Sequence, residues 1–223
     1  DLYKSLEKPQ DNLEAAGLRL RYGIVPYSLT VNTGKLVYDL NSSYIRNPAE
    51  YPQCNVGGGN GAGCTASKKA ISRNSNWLKN NWEGCIEERQ TVDNIDASSG
   101  YTIPSGATDL DIDSAPSSEA TKWAPYDPAS VTARGNQAGT SAACPKQARL
   151  MEKFDDAGEV SDWLKDMKAG GFTYHDIGLI WAGRLMSPTG MWSGNNPDVF
   201  KGFPVNRHVI FMTDGAMDPD LDA

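Results

Sequence analysis

The sequence lacks any apolar run long enough to cross a bilayer: its longest strong one, Val209-Ile210-Phe211-Met212, is far short of the roughly 20 residues that a spanning helix needs. It also lacks a concentrated basic face. The 21 Lys and Arg are outnumbered by 28 Asp and Glu, the net charge is −7, and Lys68-Lys69 is the longest basic cluster. Nucleic acid is therefore not an expected partner, because neutralising phosphates requires basic residues gathered together. There is no CxxC pair, no zinc-knuckle spacing and no Gly-x-Ser-x-Gly elbow. There is no initiator Met either: the chain begins at Asp1 and stops in the polar tail Asp218–Ala223, directly after an apolar pattern. Both ends are expected to be cut from a longer protein.

What is present is enough chain for one large domain, or one domain with a long insertion: 223 residues, of whose unfolded surface roughly 70% would be buried. Four cysteines stand at Cys54, Cys64, Cys85 and Cys144, in loop-like surroundings that suit disulfides in an oxidising compartment. Of the three pairings that four cysteines allow, the favoured one joins Cys54 to Cys64 across the Gly-rich stretch 57–61, and Cys85 to Cys144. Four unpaired thiols in a cytosolic protein remain the alternative.

Residues 18–27 alternate Leu18, Leu20, Tyr22 and Ile24 against Arg19, Arg21 and Gly23, the pattern of a strand with one face in a core. Asn32-Thr33-Gly34 supplies a turn, and residues 35–40 read as the returning strand of a hairpin. From about 41 to 145 the pattern dissolves into Gly, Ser, Asn, Pro and Asp, broken by the ordered-looking piece Trp82–Arg89. A structureless loop of that length is uncommon in a compact domain, so the region is expected to be an insertion with disulfides and short elements of its own. Residues 148–152 are a short strand candidate. Val160, Trp163, Leu164 and Met167 then fall at i, i+3, i+4 and i+7, giving an amphipathic helix stopped by Gly170-Gly171. A second helix carries Ile177, Ile180, Trp181 and Leu185 and is stopped by Ser187-Pro188. The run Arg207–Met212 before Thr213-Asp214-Gly215 reads as a central parallel strand covered on both faces. Strand, helix, helix, strand in this order predicts an α/β sheet flanked by helices.

In such sheets ligands bind beyond the carboxyl ends of the strands. Two polar loops are expected there: Gly170–Thr173 before the second helix, and Thr213-Asp214-Gly215 after the apolar strand. The hydroxyl of Thr173 and the carboxylate of Asp214 would make half of an oxygen-only site for a hard divalent cation. Each alone also has an ordinary structural explanation, as a helix N-cap and a turn.

Several stretches carry a resemblance: residues 21–28 with Val31-Asn32, Trp82–Arg89, Asp109–Asp113, Thr173–Trp181, Arg184–Pro188 and His208–Gly215. Together they resemble the von Willebrand factor A region of TadG-like proteins, which take part in assembly of Flp (tight adherence) pili. The likeness runs from about residue 18 to the end and is weak around 54–64 and 129–143. It implies a Rossmann-like, mostly parallel sheet, here as one incomplete domain over 1–223 lacking its first strand and C-terminal strands, with the insertion at about 41–145. Residues 1–6 would be the tail of the first helix.

The resemblance further implies a metal-ion-dependent adhesion site built from an Asp-x-Ser-x-Ser loop, a Thr and an Asp. Thr173 and Asp214 match the second and third elements, whereas Asp96-Ala-Ser-Ser-Gly100 lacks the second Ser and follows no apolar strand. The intact protein would bind Mg²⁺ or Mn²⁺, and this segment an incomplete site. A divalent ion left short of negative charge recruits an acidic side chain from a protein partner, which is binding rather than bond breaking. An extracytoplasmic domain is implied, with a membrane tether upstream.

Two rival readings stand beside this one. A surface domain recognising glycans or proteins without metal would use exposed aromatics, and Trp77, Trp82, Trp123 and Trp192 lie in polar stretches, whereas Trp181 sits on the apolar stripe of its helix. A secreted hydrolase could draw on His175-Asp176. Adjacent helical residues, however, point about 100° apart, and His175 and His208 are more simply read as structural.

Overall fold

In a computed structural model, residues 2–54, 66–92, 102–128 and 144–217 are described. The first helix, α1 (Leu2–Ala15), presents Tyr3 and Gln10 seven positions apart and therefore on one face. Both donate to the Phe154 carbonyl, at 2.9 and 3.0 Å. The Tyr3 ring meets Tyr22 and Phe154 with centroids 5.2 and 5.8 Å away. At the end of the helix Gly17 takes φ 76°, and the Gly17 and Leu18 amides turn back to the Glu14 and Leu13 carbonyls, the paired bonds of a left-handed helix stop.

The short strand β1 (Tyr22–Ile24) is followed by α2 (Gly34–Leu40). The ribbon of β2 (Ala49–Cys54) and β3 (Ala66–Arg73) comes next, then α3 (Ser75–Asn80). After a stretch of single 3₁₀ turns the chain forms β4 (Arg149–Glu152), α4 (Ala157–Lys165) and α5 (His175–Met186). It then makes the two-residue strands β5 (Val199–Phe200) and β6 (Phe203–Pro204). Lys201 and Gly202 between them have φ 50° and 86°, the pair of positive values that suits the twist of a tight hairpin.

Among the described residues every sheet is a two-stranded antiparallel ribbon: β1 with β4, β2 with β3, and β5 with β6. The expected mostly parallel, Rossmann-like sheet is thus overturned, for two local reasons. Residues 35–40 are helical, not a returning strand. Leu36, Val37 and Leu40 fit a helical stripe while Leu36, Tyr38 and Leu40 fit an alternation, and six residues cannot separate the two periods. Gly34 also seats the start of α2 against its neighbours: its amide donates to the Gly84 carbonyl at 2.8 Å, and a Cβ there would lie 2.3 Å from the Trp82 ring.

The second reason is that Arg207–Met212 is not a covered strand. Arg207 is bound to the Met186, Asn196 and Pro197 carbonyls and to the Asp198 carboxylate. Beyond it the chain runs over the surface, with Val209, Ile210, Phe211 and Met212 exposed by 48, 60, 40 and 75%. An unbroken apolar run becomes a buried strand only where other elements cover both of its faces, and the described residues supply none.

The main core gathers Val31, Val37, Ile45, Leu78, Trp82, Ile86 and Trp123 with Ala148, Ile177, Trp181, Leu185 and Trp192. The stretch expected as an insertion therefore supplies five of these side chains. Cys85 and Cys144 are bonded, with Cα atoms 5.6 Å apart, and close a smaller cluster with Leu29, Tyr126 and Phe172. Cys64, and with it the expected Cys54–Cys64 pair, and the Asp96–Gly100 loop lie outside the described residues.

Candidate functional site

Two places combine charge, aromatic rings and residues from distant parts of the chain. One is internal. Asp109 is fully buried, with Arg184 at 1% and Arg89 at 6% exposure. Its Oδ1 accepts from Arg89 Nε at 3.0 Å and from Arg184 Nη2 at 2.9 Å, and Arg184 also donates to the Asp109 carbonyl. The remaining Arg89 nitrogens donate to the carbonyls of Thr121, Thr108 and Asp111. Both guanidiniums approach Trp123, at 4.5 and 5.3 Å from the ring centroid, and Arg184 also lies 4.8 Å from Trp181. Burial lowers the Arg184 pKa to about 10, which leaves it charged at neutral pH. A surface hollow of about 340 Å³ borders Arg89, Thr108 and Asp111, but with Nε, Nη1 and Nη2 of Arg89 all committed internally the cluster is built to hold the fold together.

Beside it, Glu88 accepts from the Tyr174 hydroxyl at 2.9 and 2.8 Å. Burial raises the Glu88 pKa to about 7, reinforced by Asp109 and Asp176 and opposed by the Tyr174 hydrogen bond and Arg184. Tyr174 is also tied through its amide to the Ser28 carbonyl at 2.9 Å. These contacts fix the residue that precedes α5, and with it the position of His175.

The second place is external and lies where α5 begins. Gly178 lets Tyr27 lie against the helix, since a Cβ there would come 2.7 Å from the ring. Tyr27 stacks on Phe211 at 5.7 Å with an 18° interplanar angle, and His175 meets both rings edge-on, at 6.0 Å from Tyr27 and 5.1 Å from Phe211. His175 Nε2 and the Thr213 hydroxyl are 3.1 Å apart, and Tyr27 Oη donates to the Met212 carbonyl at 3.3 Å.

Of the two polar loops singled out in the sequence, the one at Thr213-Asp214-Gly215 thus meets the first residue of α5, through Thr213 and His175. Among the described residues no hydrogen bond or ion pair joins Thr173 to Asp214, and no parallel sheet edge carries them. Among the described residues no group of three or more His, Cys, Asp or Glu side chains is placed to hold a metal ion. The donors found at this spot, an imidazole and a hydroxyl, do not fit the oxygen-rich shell of a hard divalent cation. His208, read as structural, is exposed. The aromatics considered for glycan contact are mostly spent internally: Trp82, Trp123 and Trp192 are 5, 1 and 7% exposed.

Sequence reasoning missed the Asp109 cluster entirely, although each of its charges stood inside a stretch quoted for the family resemblance. Comparison with family models, curated proteins and solved structures finds no match to this chain.

Proposed function

We propose that this chain is a non-enzymatic, extracytoplasmic protein-binding and scaffold module, of the kind its resemblance to TadG-like proteins suggests for the assembly or envelope anchoring of Flp pili. The observation that carries the reading is the segment His208–Thr213. It carries no helix, turn or bend, is uncharged between its ends, and is exposed, with Ile210 at 60% and Met212 at 75%. It is nevertheless held in place by Arg207 at one end and by the Tyr27, His175 and Thr213 contacts at the other. Apolar residues displayed on an anchored segment free of helix and turn suit the addition of a partner's strand, in which main-chain hydrogen bonds give affinity and alternate side chains give selectivity. The Cys85–Cys144 disulfide supports an oxidising location.

The chemistry for an enzyme is thin by comparison. The imidazole of His175 is paired with a threonine hydroxyl and two rings, and the titratable Glu88 is turned toward Tyr174 inside the fold.

A photo-crosslinking residue at position 210, in cells producing the whole protein, tests the reading. Adducts with proteins of the cell envelope are expected from position 210 and not from Leu164, which is comparably exposed on α4 at 46%. Equal yields from the two positions would overturn it.

A further inference from the structure

We infer that the β5–β6 hairpin and the cations gathered beside it form a contact for an anionic lipid surface, independent of the segment His208–Thr213. Four basic side chains from opposite ends of the chain meet there. Arg19 places its guanidinium 4.0 Å from the centroid of the Phe200 ring, and Lys201 Nζ lies 5.7 Å from the same centroid. Lys201 also reaches back to the turn after α1, 3.3 Å from where a Cβ on Gly17 would stand. Arg19 and Arg207 are both felt at Arg21, whose pKa is lowered by burial first and then by these two like charges.

The group is short of counter-charge. Arg21 gives its hydrogen bonds to uncharged acceptors, the Met151 carbonyl and the oxygens of Asn195 and Asn196. Among the described residues Arg207 alone of the four makes an ion pair, with Asp198, whose side chain is 68% exposed. The sign of charge is therefore locally reversed in a chain of net charge −7. An anionic surface repels such a molecule as a whole and gains only by meeting it on this side.

The apolar part of the contact sits on the same hairpin. Phe200 and Phe203 are paired across it, so their rings share one face. Phe200 is half-buried beside Arg19, whereas Phe203 is exposed by 59% and Val199 by 58%. The turn between the strands stands clear of the body, since a Cβ at Gly202 would meet nothing within 4 Å. An acidic protein segment would be held by cations lining a groove or a row, but here they gather round a projecting aromatic turn. That arrangement suits a bilayer interface, where the ring enters to headgroup depth while the cations meet the lipid phosphates.

Flotation of the protein with vesicles tests the contact. Phosphatidylcholine vesicles containing about one-third phosphatidylglycerol should bind it at roughly millimolar lipid in low salt. Pure phosphatidylcholine should not, and ~1 M salt should release it, because screening then leaves charges a reach of about 3 Å. Lys201→Glu turns an attraction into a repulsion and should weaken binding about 30-fold. Phe203→Ser should weaken it about tenfold. Lys201→Arg should bind like the parent, as should Lys165→Glu on α4, where the side chain is 69% exposed. Unchanged near-UV circular dichroism identifies the variants as folded.

The assignment is overturned if the parent fails to float with anionic vesicles at about 10 mM lipid, if it binds pure phosphatidylcholine equally, or if Lys165→Glu is as damaging as Lys201→Glu. Release by inorganic phosphate at matched ionic strength would show that the cations take free phosphate rather than a bilayer. A crosslink from position 203 to an acidic protein, without flotation, would give the face to a protein partner. Either result sinks the lipid contact and leaves the reading of His208–Thr213 untouched.

Discussion

Asp109 neutralises two buried cations at once, so its replacement strands two charges beside Trp123. Removing one partner of a buried ion pair costs about 3–5 kcal/mol, because the charge left behind has neither water nor counter-ion. Asp109→Ala is accordingly expected to lower the urea midpoint steeply, and a variant as stable as the parent would show that the cluster does not hold the core. Glu88 gives the opposite kind of signal. Its pKa rises from 4.5 to about 7 on folding, chiefly through burial. The folded state therefore prefers the protonated form. The stabilisation is fully present below about pH 4.5 and is lost as pH rises through 7, on the order of 2 kcal/mol once partial exposure is allowed for. Tyr174→Phe deletes the hydrogen bond that favours the carboxylate, so the midpoint should move above 7. Carboxyl-carbon NMR titration of Glu88 measures this directly, and a midpoint that falls in the variant would contradict the assignment.

At the scale of elements, the two helices α4 and α5 were legible because each spans at least two turns and repeats its apolar residues at 3.6-residue spacing. Asp156 also caps α4 by accepting from the Glu159 amide at 2.9 Å. The strand at 148–152 and the strand read over 18–27 were legible too, although β1 is shorter than the alternation suggested. Residues 35–40 and 207–212 were not. In the first, six residues satisfy both periods, and the choice is made by the close approach of Gly34 to Trp82 and Gly84. In the second, apolarity records an affinity for burial but not which surface provides it. The Cys85–Cys144 bridge spans 59 positions, and closing a loop of that size removes unfolded-state entropy worth about 4 kcal/mol. Cys85→Ser with Cys144→Ser is expected to unfold at clearly lower denaturant than the oxidised parent, and equal midpoints would assign the bridge no stabilising part.

On the scale of the whole molecule, stretches far apart in sequence converge on the two described places. Trp82–Arg89, Asp109–Asp113 and Arg184–Pro188 meet around Asp109, where Ser187 also donates to Asp113. Residues 21–28 and 208–215 meet at Tyr27 and Phe211. No local pattern announces such meetings: a lone Arg within a helix and a lone Asp within a turn look like solvated charges until the chain closes over them. The candidate site was legible only as two loops expected to share one rim. The contact that Thr213 makes is with His175, in α5 and outside the first loop, and among the described residues the parallel sheet that would have aligned Thr173 with Asp214 is not formed.

The indoles of Trp123, Trp181 and Trp192, with ring centroids 5.1 and 6.5 Å apart, form a built-in optical reporter. Chromophores this close couple electronically, and their emission lies to the blue of hydrated tryptophan. Any change that admits solvent between them should appear as a red shift together with collapse of the aromatic dichroism, so the integrity of the interior can be followed in unlabelled protein while its outer surface is being altered.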